Sequence, residues 1–257
     1  MSVHRTQAIV LRSRKFRESS KIVVFFTQNC GKINAIAKGG LRPKSKFGSS
    51  LDIFTHSSII FYKKENRDLH TLSHSEIVNP FSGVKQDVVK VAYASVAGEM
   101  VDRLVPLDEP SRAVFALLAA ALQEIDVADR SQLEVVLSSY QLKMLHAVGY
   151  GPELTRCVRC GKPVKGKAWF GLISGGTLCQ ACSNKDLNAV AVTEKALALL
   201  REYEGGAMSK LRQEYGGDPA SREVSDLLNS FVRVQVGESA KMKSLDFLER
   251  MRETGNA

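Results

Sequence analysis

A chain of 257 residues with 44% apolar and 25% charged side chains has enough apolar content to fold, which excludes an intrinsically disordered polymer. Its longest apolar run, Ala113 to Leu122, is ten residues, against the roughly 20 that a membrane-spanning helix requires. A formal net charge of +9 and an isoelectric point near 9.3 restrict the partners to polyanions, with nucleic acid and an acidic membrane surface as the two candidates.

The charge is unevenly placed. Residues 1–80 hold 14 Lys and Arg against 5 Asp and Glu, whereas the remainder holds 22 of each. The whole surplus therefore sits in the first third, and the break predicts two domains, 1–80 and 81–257. The opening Met1-Ser2-Val3-His4-Arg5-Thr6-Gln7 lacks an apolar run behind a basic flank, so it does not read as a signal peptide, and a cytoplasmic location is expected.

Alternating or β-rich runs at Thr6–Ser13, Lys21–Thr27, Lys32–Ala37, Ile53–Tyr62 and Leu69–Ile77 predict five strands separated by turn-forming residues. Five short strands in about eighty residues suit a small closed barrel of the OB type, which has no free edges and offers one face to oligonucleotides. An SH3-like barrel would show much the same pattern. Between the third and fourth strands lies Lys38-Gly39-Gly40-Leu41-Arg42-Pro43-Lys44-Ser45-Lys46-Phe47-Gly48, four cations with open backbone and no acid. Such a loop suits a phosphate chain. Further cations at Arg12, Arg14, Lys15, Arg17, Lys63 and Lys64 extend the candidate surface, and the scarcity of acids argues against an ordinary solvated face. Phe16, Phe47 and Tyr62 are candidate stacking platforms, worth about 1–3 kcal/mol per base, while Phe25 and Phe26 read as core. Lys44-Ser45 is preceded by Pro43 rather than Gly, which rules out a Walker A loop and an ATPase.

Beyond residue 80, apolar residues at Val89, Tyr93, Val96, Met100 and Leu104 mark one face of a helix over Gln86–Leu104, stopped by Pro106. Ser111 is expected to cap the next helix, whose all-round apolar stretch Ala113–Leu122 predicts a central position in a bundle. Further helices are expected over Gln132–Val148, Glu194–Tyr203, Pro219–Val236 with Asp218 at its cap, and Leu245–Met251.

Cys157-Val158-Arg159-Cys160 and Cys179-Gln180-Ala181-Cys182 are two Cys-x2-Cys knuckles separated by eighteen residues. With an odd total of five cysteines they argue against a disulfide framework and for a tetrahedral four-thiolate metal site. Four thiolates leave no position for water, so a bound Zn²⁺ would be structural, within a module at about residues 150–188. A redox pair or an iron–sulfur centre competes, but a thioredoxin-type site uses a single pair, and the Pro-Cys-x-x-Cys of a deaminase is absent because Arg156 precedes Cys157. Arg156, Arg159, Lys162, Lys165 and Lys167 surround the first knuckle, either offsetting thiolate charge or making a second DNA contact. Cys30 reads as an incidental thiol, and His70 and His74 as surface residues.

The segment Ala37 to Ser45 followed by Leu51 and Phe54, preceded by Arg17-Glu18-Ser19-Ser20 and Phe26-Thr27, resembles the bacterial recombination mediator family RecO. So do Val148-Gly149-Tyr150-Gly151-Pro152-Glu153-Leu154 running into the first knuckle and the stretch Lys243 to Leu248. The resemblance implies an OB domain, a helical domain interrupted by a zinc module, and no enzymatic turnover. It further implies binding of single- and double-stranded DNA, annealing of complementary strands, and cooperation with RecR in helping RecA replace single-strand-binding protein, with no membrane partner. It places DNA contacts on Lys38, Arg42, Lys44 and Lys46 and metal ligation on Cys157, Cys160, Cys179 and Cys182. Asp52-Ile53 departs from the Gln-Pro common in the family. The alternative is a zinc-stabilised scaffold or RNA-binding protein, and no motif gathers a nucleophile, a base and an oxyanion donor.

Overall fold

A computed structural model describes residues 2–63, 67–237 and 241–254. The chain is α+β. Strands β1 (Ser2–Phe16), β2 (Ser20–Thr27), β3 (Gly31–Ala37), β4 (His56–Lys63) and β5 (Leu69–Asn79) close into an OB-like barrel in the order β1-β2-β3-β5-β4. All pairings are antiparallel except β3 with β5. The two-residue period of a strand explains why one sheet serves two cores. Ala8, Val10, Val23, Phe25, Ile33, Ala35, Ile59 and Phe61 fill the barrel, while Ile9, Leu11, Val24 and Phe26, one step out of phase, face the helices. Burying each of these four larger side chains contributes about 1.5–3 kcal/mol.

The five expected strands are all present, but β1 extends beyond the expected Thr6–Ser13 at both ends and β4 starts late. β4 begins at His56 rather than Ile53, because Gly48–Leu51 form a 3₁₀ turn. Phe54 then takes a left-handed φ of 66°, and its ring lies in the core shared by the barrel and the helices.

Then come α1 (Ser82–Gln86), α2 (Val88–Leu104), α3 (Arg112–Val127) and α4 (Leu133–Ala147). Asp87 accepts from Val89 N (2.8 Å) and Ser111 from Val114 N (3.3 Å), fixing where α2 and α3 begin. A small unit of β6 (Ala168–Gly171), β7 (Gly176–Leu178), α5 (Gln180–Ser183) and β8 (Ala189–Val192) follows, before α6 (Glu194–Gly205), α7 (Met208–Tyr215), α8 (Pro219–Val236) and α9 (Lys243–Glu253).

The expectation that Ala113–Leu122 is the central helix is corrected. α4 is central, buried around most of its circumference and packed on α2, α3, α6, α7 and α8. The all-round apolar character of α3 comes from alanines, and Ala113, Ala116 and Ala120 sit in solvent at little cost. α4 instead buries polar groups, several of them paired: Tyr140 OH donates to Ala97 O (3.0 Å), and Gln141 Nε2 donates to Asn229 Oδ1 (2.9 Å), while Gln141 Oε1, Asn229 Nδ2 and Ser138 Oγ are buried with no hydrogen-bond partner among the described residues.

The barrel meets the helices through α2. Gly98 admits Phe54, whose ring would lie 3.3 Å from any Cβ added there. Lys32 on β3 is 7% exposed; its ammonium donates to Asp102 O and lies 3.6 Å from the Asp102 carboxylate, which also pairs with Arg12 at 3.2 Å. Asp108 N donates to Lys32 O (3.2 Å), and Gly31, at φ 69°, leaves room for the Glu109 backbone.

α9 closes the bundle. The side chain of Arg252 is 2% exposed, pairs with Glu134 at 3.2 Å and Asp226 at 3.5 Å, and donates to Ser225 Oγ at 2.9 Å. Replacing it leaves Glu134 only its more exposed partner Arg222. Arg252→Ala is expected to lower stability by about 3 kcal/mol, read as a lower urea midpoint at unchanged m-value.

Candidate nucleic-acid interface and metal centre

Two segments of the barrel come together at one end. The β1–β2 turn carries Arg17, at a left-handed φ of 55°, and the β3–β4 loop folds back on it so that Leu41 N donates to Ser19 O (2.9 Å). The loop is a chain of tight turns in which Gly40 N donates to Ala37 O, Arg42 N to Gly39 O and Ser45 N to Arg42 O. Gly39, at φ 75°, supplies the conformation the first of these needs. Phe16, Arg17, Ser19, Ile36, Lys38 and Arg42 line an open cleft of about 800 Å³ between the two segments. Glu18 is the one acid on its wall.

The structure sorts the barrel's cations into two sets. Arg12 and Lys32 pair with Asp102, Lys63 with Asp108 at 3.9 Å, and Lys21 with Asp52 at 3.8 Å. Asp102 and Asp108 lie beyond residue 80, so part of the surplus is compensated across the chain, contrary to the expectation that it stands unpaired. Arg14, Lys15, Arg17, Lys38, Arg42, Lys44 and Lys46 remain exposed, and among the described residues none of them is in a salt bridge. Asp52 faces Lys21 and not the loop.

Three expected positions do not join this face. Phe47 is 4% exposed and packs inside the barrel, so it anchors the loop and offers no ring to a base; Ser50 Oγ donates to its carbonyl (2.6 Å), and the Lys46 ammonium sits 5.2 Å from its ring centroid. Lys63 pairs opposite Ser2, at the other end of β1 from Arg17, roughly 45 Å away along the strand path at about 3.3 Å per residue. Tyr62, opposite Val3, shares that end. Lys64 lies outside the described residues. Phe16 remains, half-buried in the cleft with the Arg17 guanidinium 5.3 Å from its centroid.

His70 is also corrected: it is buried, 2% exposed, stacked on Phe61 at 5.6 Å, with His4 on the other side of that ring at 5.3 Å. Burial lowers its pKa below the ordinary imidazole range. Cys30 Sγ lies 3.8 Å from His4 Nδ1, and burial pushes its thiol up, which makes it a poor nucleophile.

The cysteine quartet is assembled by backbone hydrogen bonds. Cys157 N donates to Lys162 O and Gly161 N to Cys157 O, both 2.8 Å, with Gly161 at φ 72°, which makes the first knuckle a tight turn. The β6–β7 hairpin returns the chain beside it, since Val158 N donates to Thr177 O (3.0 Å) and Thr177 N to Glu153 O (2.8 Å). Cys179 opens α5, accepting from Cys182 N and Ser183 N. All four Sγ atoms lie within 4.8 Å of one another, and Cys160 and Cys179 are 3.8 Å apart. A tetrahedron of thiolates each about 2.3 Å from a metal has S···S edges of about 3.8 Å. The residues therefore fit a four-coordinate metal ion.

Burial raises the Cys157 thiol, but backbone N–H groups of Cys179, Cys160 and Arg159 outweigh it and bring the value down to about 6. Cys182, hydrogen-bonded to Cys179 and near the charge on Cys157, is pushed up to about 12. A cation bound among them would hold all four as thiolates. Hydrogen bonds from Thr155 Oγ1, Thr155 N and Arg156 N hold the Glu153 carboxyl down to about 2, so it is ionised at neutral pH and braces the entry to the first knuckle.

No helix among the described residues is long and apolar enough to cross a membrane. Residues 1–81 match the family model described as Recombination protein O N terminal, and residues 85–246 match Recombination protein O C terminal. The DNA repair protein RecO of Symbiobacterium thermophilum is 30% identical over 255 residues, covering 98% of this chain and 99% of that protein. Those of Syntrophus aciditrophicus and Heliobacterium modesticaldum are 31% and 32% identical, each covering 97% of this chain and 98% and 90% of their own lengths.

Trp169 on β6 is the one tryptophan of the sequence and lies within the four-cysteine unit, so its emission reports on that unit alone. Metal bonds in small four-ligand peptides supply about 10–16 kcal/mol of folding free energy. Removing metal with a chelator, or Cys157→Ser, is expected to red-shift Trp169 emission while the barrel's far-ultraviolet signal persists. An unshifted spectrum after verified metal removal would show that the unit stands without the ion.

Proposed function

Because the chain belongs to the RecO family of DNA repair proteins, which are recombination mediators and not enzymes, we propose that it binds single- and double-stranded DNA without sequence specificity and anneals complementary strands. On the same reading it acts with RecR in the bacterial cytoplasm, helping RecA take over gaps coated with single-strand-binding protein. The observation that carries this is the set of seven exposed cations on the end of β1, the turn after it and the β3–β4 loop, none of them in a salt bridge among the described residues.

The chemistry follows from charge. Two complementary strands repel each other before they pair, and a surface that neutralises phosphates on either lowers that barrier without reading a base. Lys38, Arg42 and Arg17 reach into the cleft, and Lys44, Lys46, Arg14 and Lys15 extend the track. Phe16 is the one aromatic ring there that could meet an unstacked base, consistent with sequence-tolerant binding. We divide the protein into an OB domain, 1–80, and a helical domain, 81–257, in which Cys157, Cys160, Cys179 and Cys182 hold one structural Zn²⁺. The ion fills its coordination sphere with sulfur and so serves to hold the unit at 150–188 together.

Replacing Lys38, Arg42, Lys44 and Lys46 together by Ala is expected to make the log–log salt dependence of single-strand binding shallower by about 2–3, at roughly 0.7 per phosphate contact. Lys63→Ala should leave that slope unchanged. Fluorescence anisotropy across a salt series reads both, and an unaltered slope in the quadruple variant would remove the loop from the binding site.

A further inference from the structure

The helical part of the chain is neutral only as a sum. Residues 150–188 hold six Lys and Arg against two acids, whereas the rest of the chain beyond residue 80 holds 16 against 20. Arg156, Arg159, Lys162, Lys165, Lys167 and Lys185 are all exposed, and among the described residues none is in a salt bridge. Neither acid compensates them. The Glu153 carboxylate accepts from Thr155 and Arg156 N, and the Asp186 carboxylate accepts from Ser174 Oγ and from Asn188 N. Glu194 is the neighbouring acid from outside, its carboxylate 3.4 Å from where a Cβ on Gly166 would stand.

Charge balance around the metal does not account for them. Four thiolates and a divalent cation sum to −2, whereas the unit's side chains contribute +4, so half of the local surplus has no internal counterpart. A cleft of about 420 Å³ adds an independent observation. Its walls pair Arg159 and Lys185 with Val158, Ile173 and Leu187, and carry one acid, Asp186, whose carboxylate is occupied by Ser174 and Asn188. Ile173 is 67% exposed, and Leu187 is wholly exposed. An unpaired strand offers phosphates to cations and uncovered base faces to apolar side chains, which is the combination this cleft presents. A free phosphate would have no use for the apolar rim.

The unit is carried on different supports from the barrel. Arg201 on α6 donates twice to Leu154 O (3.0 and 2.8 Å), and Phe170 packs edge-on against Phe231 of α8 at 5.2 Å, whereas the barrel is docked through α2. We infer that the four-cysteine unit is a second binding site for single-stranded polynucleotide, engaging one strand while the barrel holds the other. This rests on the strand-annealing reading above and deepens it, since annealing needs two strands on one protein or on a pair of molecules.

The full-length variant Arg159→Ala/Lys162→Ala/Lys165→Ala/Lys185→Ala tests it, with metal content and Trp169 emission as controls for folding. A labelled oligonucleotide is bound at one equivalent per protein, and capture of a second, non-complementary oligonucleotide is followed by energy transfer. First-strand affinity should stay within twofold of the parent, while second-strand capture and the annealing rate of complementary strands each fall about tenfold. Unchanged second-strand capture in the metal-replete variant overturns the inference and leaves the barrel reading intact. Capture abolished by poly-glutamate but insensitive to competing oligonucleotide overturns it too, by assigning the surface to acidic polypeptide. Should the quadruple variant lose metal, Lys165→Ala/Lys167→Ala, five and seven residues beyond Cys160, is read in the same way with a smaller expected fall of about threefold. The loop variant Lys38→Ala/Arg42→Ala/Lys44→Ala/Lys46→Ala, run alongside, should lose first-strand binding; that result judges the barrel alone.

Discussion

Like charges crowded onto a small barrel must be either compensated or displayed, and most of this molecule can be understood from how its surplus is divided. Ile9, Leu11, Val24 and Phe26 drive one wall of the barrel against the helices. That contact carries Arg12, Lys32 and Lys63 to Asp102 and Asp108, where opposite charge from another part of the chain receives them. The cations left over are those that the docking geometry turns away from the helices. Apolar burial thereby decides where the positive field points, although no apolar side chain takes part in it.

The same division recurs on a smaller scale in the four-cysteine unit. Its strands are three or four residues long, too short to hold a sheet by themselves, and its buried residues Ala168, Phe170 and Leu178 join the helical core through α6 and α8. Thiolates clustered this closely would repel one another unless a cation sits among them. The backbone donors around Cys157 and the rise at Cys182 show that strain in protonation terms, one site taking charge at the expense of its neighbours.

Local rules made much of this legible. Alternation in β1 through β5 and the period of α2 follow from one-face burial, and the two Cys-x2-Cys spacings specify a quartet regardless of what lies between them. What escaped depends on partners distant in the chain. Phe47 sits in a basic loop and looks available to a base, yet its ring is drawn into the barrel because Leu51 and the barrel interior offer it a dry pocket. The pairing of Lys32 with Asp102 spans seventy residues and leaves no trace in either neighbourhood. α7 presents only Met208 and Leu211 to the core, too few to show a period. The apolar run of α3 reflects alanine, which scores as apolar but is indifferent to exposure, whereas α4, expected as a helix, buries Ser138, Ser139 and Gln141 and so shows no run that marks it as central.

α9 supports Arg252 against Tyr93, Glu134 and Asp226, and Ser244 N and Oγ bond to Glu99 of α2, so the bundle is locked by the last helix of the chain described. The strand pairing of the barrel is complete by Asn79. During translation at roughly 5–20 residues per second, about 10–35 s separate the emergence of β5 from that of α9. For that interval the nascent polypeptide carries a finished cationic barrel whose greasy flank has no lasting cover.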